Sequence, residues 1–179
     1  MRFQMKIQIE ILFKKCGISN QPNVCIFDDP CLSKFGALRG SCPHPGVSDT
    51  VIPSSELLYI GFWTDKGNAD TKTLQLLSQL KNKQIFLFGT AGFGGSDIYF
   101  RKILNQVKQF VDASNVIVGE YMCQGRMPQS VRERYLKMKE APDHPANLDV
   151  LIQNFDCALS HPDADDLERL RQAVRNSSF

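Results

Sequence analysis

Two short apolar runs, Leu57 to Trp63 and Gln84 to Gly89, constrain this chain more than any other feature, because each leads at once into a glycine-bearing polar loop and then into a helical pattern. Each run is too short for a helix and reads as a strand. Strand, loop and helix, twice in succession, predicts neighbouring parallel strands. A parallel pair needs a crossover, and the right-handed crossover brings both loops to the same end of the sheet. The carboxyl ends of parallel strands are where open α/β sheets hold their ligands.

The sequence around this stretch is consistent with it. Asp70 is placed to cap a helix whose apolar stripe is Leu74, Leu77 and Leu80. A helix from Asp97 to Val111 sets Phe100, Ile103, Leu104, Val107 and Val111 on one face, and Val116 to Gly119, continuing toward Tyr121, reads as a third strand. Ser130 with Glu133 predicts a capping box for a helix through Lys139 that Pro142 ends. Further helices are expected over Ala146 to Leu159 and from about Asp163, where Asp165 and Asp166 suit the positive end of the dipole. Upstream, Met5, Ile7, Ile9 and Ile11 alternate with Lys6, Gln8 and Glu10, the period of a half-buried strand. Between Gly17 and Pro53, prolines and glycines interrupt every candidate helix, so a stretch without regular structure is expected there. The chain therefore reads as one domain over residues 1–179, with an atypical N-terminal segment over 1–55 and a conventional α/β part over 56–179.

A formal charge of +2 and the lack of a lysine–arginine cluster argue against nucleic-acid binding. No run approaches the roughly 18 apolar residues of a membrane span, and the opening MRFQMKIQIEILFKK has no unbroken apolar core, so a cytoplasmic protein is expected. The six cysteines include no C-x-x-C pair, and the scattered histidines His44, His144 and His161 each sit beside proline; free thiols rather than a metal site are expected.

Three loops are candidates for chemistry. The first is Phe62, Trp63, Thr64, Asp65, Lys66, Gly67 and Asn68. Its aromatic pair either plugs the top of the core or offers Trp63, the only tryptophan, as a flat face for a planar ligand, with Gly67 letting a peptide group approach the ring edge. The second is Thr90, Ala91, Gly92, Phe93, Gly94, Gly95 and Ser96, whose glycines either serve a tight turn or let backbone N–H groups close on a ligand at a helix start. It matches neither the dinucleotide fingerprint nor the P-loop. The third, Met122 to Pro128, carries Cys123 and Arg126, but no histidine lies in a motif that would activate the thiol, and no catalytic residue is assigned.

The strings LLYIGFWTDKGNAD, IFLFGTAGFGGSDIYF, YMCQGRMPQSVRERY and NFDCALSHPDADDLERL resemble flavodoxin-like proteins of anaerobic bacteria, over about Glu56 to Val174. The resemblance implies a five-stranded parallel sheet in flavodoxin order with helices on both faces, non-covalent FMN and electron transfer to or from a redox partner protein. It makes Phe62 to Gly67 the first isoalloxazine loop, with Trp63 stacking and the Gly67 peptide near the flavin N5, and Thr90 to Gly95 the second. The family's phosphate-loop pattern, [ST]-x-T-G-x-[ST], is absent between Met1 and Ser55, and FKKCGISNQPNVCIFDDPC stands in its place. The expectation is an altered version of the usual first half, such as a frame shift would produce, and a flavodoxin-fold domain that has lost FMN is the rival to the carrier.

Overall fold

A computed structural model describes residues 24–26 and 56–177. The strand expected over Met5 to Ile11 lies outside the described residues. The elements are β1 (Val24–Ile26), β2 (Leu57–Asp65), β3 (Asn68–Ala69), α1 (Thr71–Gln79), β4 (Gln84–Ala91), α2 (Asp97–Lys108), β5 (Val116–Gln124), α3 (Gln129–Lys139), α4 (Leu148–Ala158) and α5 (Ala164–Arg175). Strands β1, β2, β4 and β5 lie side by side in that order, all parallel, and β3 pairs antiparallel with the end of β2. This is the α/β architecture that the two strand–loop–helix units predict.

Strands β2 and β4 are buried on both faces over most of their length because they are apolar at nearly every position. On one face Leu58, Ile60, Phe62, Ile85, Leu87 and Ala91 meet Leu77 of α1 and Phe100, Ile103, Leu104 and Val107 of α2. On the other, Tyr59, Phe86 and Phe88 pack against Leu167 and Leu170 of α5. A smaller cluster of Met127, Val131, Phe155 and Ala158 joins α3 to α4 beside the sheet. Both crossovers of the central strands thus lie on one face, which puts the loops after β2 and β4 at one rim: Trp63 pairs in register with Thr90, and Thr90 with Cys123.

Two helix starts follow the expected chemistry. The Asp70 carboxylate accepts from Thr73 N at 3.2 Å and from Thr73 Oγ1 at 2.7 Å, and Ser96 Oγ accepts from Tyr99 N at 3.3 Å. At α5 the Asp163 carboxylate accepts from Asp165 N and Asp166 N, and Asp166 reaches back to Asp163 N, a complete capping box. The Ser130–Glu133 box does not form. The α3 helix starts two residues earlier, with Pro128 at the cap and no side-chain hydrogen bond, which leaves Ser130 inside the first turn. Pro128 keeps an extended ψ of 143° and its carbonyl accepts from Val131 N at 2.9 Å, so the first turn closes before Ser130 can cap it. Three strands run longer than expected, among them β4, which reaches Ala91 rather than Gly89. β2 continues to Asp65 because β3 folds back on it, and β5 continues to Gln124 because it stays in register with β4 as far as Ala91. The stretch expected to lack regular structure contains β1, whose Val24, Cys25 and Ile26 pair with Leu58, Tyr59 and Ile60. No helix among the described residues is long and apolar enough to cross a membrane.

Candidate functional site

The loop after β2 is a tight hairpin. Lys66 and Gly67 both have positive φ, 49° and 83°, the pairing that a two-residue turn between twisted antiparallel strands requires. Asn68 Oδ1 accepts from Ala69 N at 2.9 Å and holds the return strand. Phe62 is fully buried in the core, and its ring lies so close over Gly89 that a Cβ there would come within 2.8 Å. Trp63 and Thr64 are half-buried at the rim, while Asp65 and Lys66 are exposed. The hairpin tip leans onto α2, with Gly67 against the Gln106 side chain.

The loop after β4 is braced from outside. Gly94 N donates to Asn154 Oδ1 at 3.0 Å, Asn154 Nδ2 donates to Gly92 O at 3.0 Å, and Gln124 Nε2 donates to the same Oδ1 at 3.3 Å. One α4 side chain therefore ties two backbone groups of the glycine loop to each other and to β5. Gly92 has no room for a Cβ because Met127 fills that space, and Gly94 has φ +72°, where a side chain is strained. Phe93, between them, is 45% exposed and meets Tyr99 edge-on at 6.4 Å. Thr90 and Ala91 at the base of the loop are completely buried. Part of the expected ligand-facing backbone is thus engaged by the protein, since the Gly94 N–H already has its acceptor.

Two hydroxyls at this rim stand out. Thr64 Oγ1 at the end of β2 and Thr90 Oγ1 at the end of β4 are both buried, and neither has a hydrogen-bond partner among the described residues. Leaving a buried hydroxyl unpaired costs about 1–3 kcal/mol, so a fold does not gain by two of them at neighbouring strand ends.

Compared with known proteins, the sequence matches the flavodoxin domain over residues 41–175. The chain belongs to the flavodoxin domain family. It is 38% identical over 140 residues, 75% of this chain and 74% of the relative, to the flavodoxin-like domain-containing protein BilS of Clostridium symbiosum (strain WAL-14163). It is 29% identical over 122 residues, 68% of this chain and 69% of the relative, to the protein of that name from Clostridioides difficile (strain CD3). The flavodoxin match begins upstream of Glu56, so it reaches into the segment expected to be atypical. Toward FMN, the cofactor that flavodoxins usually hold, the rim fits as a flat, partly apolar edge: the exposed ring of Phe93, the half-buried Trp63, and unpaired hydroxyls at the two strand ends, Thr64 on the Phe62 face of the sheet and Thr90 on the Phe88 face.

The third loop of this flavodoxin domain makes structural contacts with the segment after α4. Arg126 Nε donates to Leu159 O at 2.8 Å, and Arg126 N to His161 O at 3.1 Å. Cys123 is buried, and burial first, then the Asp166 charge, pushes its thiol far above the ordinary range, which disfavours the thiolate that a nucleophile needs. Tyr121 donates to Asp166 O at 2.7 Å, and burial pushes its phenol up in the same way.

Sequence reading missed two arrangements. Asn154 gave one faint signal, a poor helix former in mid-helix next to apolar Phe155, but its loop partners lie some sixty residues away. His161, expected to stand apart, has Nδ1 at 2.6 Å from Asp166 Oδ2 and 3.8 Å from Asp163 Oδ2. Those carboxylates also cap α5, which accounts for the grouping.

Proposed function

We propose that this flavodoxin domain is an FMN-binding electron-transfer protein that works with a redox partner protein in the cytoplasm. The observation that carries the reading is the braced glycine loop at the same rim as Trp63, with an unpartnered hydroxyl on each face of the sheet there, Thr64 at the end of β2 and Thr90 at the end of β4. Bound FMN supplies one- and two-electron chemistry; the chain's part is to bind and orient it. Thr64 and Thr90 supply hydrogen bonds, Trp63 and Phe93 supply flat apolar faces, and the Asn154 brace holds Gly92 to Gly95 in the conformation that meets the ring. The free thiols of Cys123 and Cys157 agree with a reducing compartment.

A second reading, a flavodoxin-fold interaction domain without FMN, is favoured by one observation: no [ST]-x-T-G-x-[ST] pattern occurs in residues 1–55. Phosphate hydrogen bonds of this charge-assisted kind contribute about 1.5–3 kcal/mol each, so losing three weakens FMN about a thousandfold or more. Titrating the purified chain with FMN while following flavin absorbance and fluorescence separates the two. Saturable binding with a perturbed flavin spectrum, lost in a Thr64→Val/Thr90→Val double variant, supports the carrier. No binding at about 100 μM FMN, weaker than about 5.5 kcal/mol, ends it and leaves the interaction domain.

A further inference from the structure

We propose that the solvent face of α2 is the docking surface for an acidic redox protein. The inward positions of α2, Phe100, Ile103, Leu104 and Val107, are buried in the core. Its outward positions, Ile98, Arg101, Lys102, Asn105, Gln106 and Gln109, line a shallow concavity of 390 Å³. Ile98 is 83% exposed, the most exposed large apolar side chain among the described residues. Its side chain stands among the polar lining of this concavity, an apolar contact inside a polar rim.

The residues lining this concavity include two cations and no carboxylate. Arg101 and Lys102 have no hydrogen-bond or ion-pair partner among the described residues, whereas Lys108 at the end of the same helix is held by Glu120 at 2.8 Å, Arg132 by Asp156 at 2.8 Å and Lys139 by Asp149 at 2.5 Å. Lys66 adds a third cation, because the hairpin tip rests against Gln106 at the edge of the same face. Asp97, four residues before Arg101, is exposed on the same side at the positive start of α2, and Asp65 is exposed beside Lys66, so the cations of the concavity itself, Arg101 and Lys102, set its charge. Two unpaired cations around an exposed apolar residue fit a partner that presents carboxylates around an apolar centre, since steering of that kind raises the encounter rate of a transient electron-exchange pair. Position agrees with chemistry, because Ile98 follows the glycine loop by one helical turn and Phe93 in that loop is exposed. A partner seated here lies against the rim where the carrier reading places the flavin.

The proposal takes the partner's redox character from that reading, but its test does not depend on FMN. The full chain is titrated by calorimetry with an acidic [2Fe–2S] ferredoxin of the plant type as the probe, at low and high salt. The expected result is binding at about 20 mM salt that weakens about tenfold or more at about 300 mM. Arg101→Glu/Lys102→Glu weakens binding about tenfold at low salt, Ile98→Ser weakens it several-fold at both, and Lys137→Glu on α3 leaves it within about twofold. The exposed positions and good helix formers keep these variants folded, which far-UV circular dichroism checks. The proposal is overturned by no ferredoxin binding at low salt, by unchanged binding of the double variant, or by equal binding of basic cytochrome c. Self-association abolished by the same charge reversal also overturns it, since a second copy then occupies the face. Ferredoxin binding without FMN binding leaves the docking face standing and ends the carrier reading; FMN binding without ferredoxin binding does the reverse.

Discussion

Replacing Asn154 by leucine removes the brace of the glycine loop while keeping the side chain's approximate size. Two hydrogen bonds to the loop go, from Gly94 N and to Gly92 O, each 3.0 Å long and partly buried, together with the longer one from Gln124 Nε2 at 3.3 Å. At about 0.5–1.5 kcal/mol net for each bond, the loop loses about 2 kcal/mol against opening, because water replaces the lost partners only in part. That corresponds to about a thirtyfold loss of protection. Native-state hydrogen exchange at the Gly94 amide reads it directly, since that N–H has Asn154 Oδ1 as its acceptor, while Leu87 in the middle of β4 serves as an unaffected reference. FMN affinity falls by the same factor or less, because opening reduces the population able to bind. Gly94 exchanging as fast in the wild type as in the variant refutes the brace. A fall in FMN affinity with unchanged Gly94 exchange refutes the link from brace to site.

Thr90→Val is expected to raise the stability of the FMN-free chain by about 1 kcal/mol, because it removes a buried hydroxyl without a partner, and to lower FMN affinity several-fold. Urea unfolding with and without FMN checks both signs, and a destabilised FMN-free variant sinks the argument. Asp163→Ala is expected to destabilise by about 1 kcal/mol or less by removing the α5 cap. Backbone N–H bonds, that of Asp166 foremost, hold the Asp163 carboxyl below the ordinary aspartate range. The unfolded chain therefore binds more protons there, and the wild type's advantage is present above about pH 4 and lost as the pH falls through the lowered native value. An advantage independent of pH down to about pH 2 contradicts the assignment.

What was legible in the sequence was local. The β2 and β4 strands, the Asp70, Ser96 and Asp163 helix starts and the apolar face of α2 follow from periodicity and capping over a few residues, and those signals met no competing constraint. The hairpin was not legible, because Lys66–Gly67 lacks the Asn–Gly or Asp–Gly signature and takes its turn from pairing with β3. Neither was β1, a three-residue strand in a proline-rich setting that forms only because β2 offers an edge. The site was half legible. Its loops share a rim as expected, but the glycines that suggested a flexible cradle are partly explained by Met127 pressing on Gly92 and by Asn154 occupying the Gly94 N–H. Those partners come from distant positions that no local pattern encodes.

Once packing has accounted for Gly92, Gly94 and Phe62, what it leaves unexplained at this rim is the more informative set. Folding alone favours valine over threonine at a fully buried strand position, since the two have similar shape and only threonine brings a hydroxyl that needs a partner. Thr90 is such a position, and its neighbour in register is Trp63, the half-buried indole at the end of β2. The interior of the sheet shows what the fold prefers when nothing else acts, with Ile85, Leu87 and Phe88 along the same strand. The change to a polar residue comes where the strand reaches the rim, next to a loop that Asn154 and Gln124 hold in one shape. A preorganised loop beside unmet hydrogen-bonding capacity is the arrangement that lowers the ordering cost of taking up a polar, flat ligand, and an apolar rim that merely closed the core has no use for either.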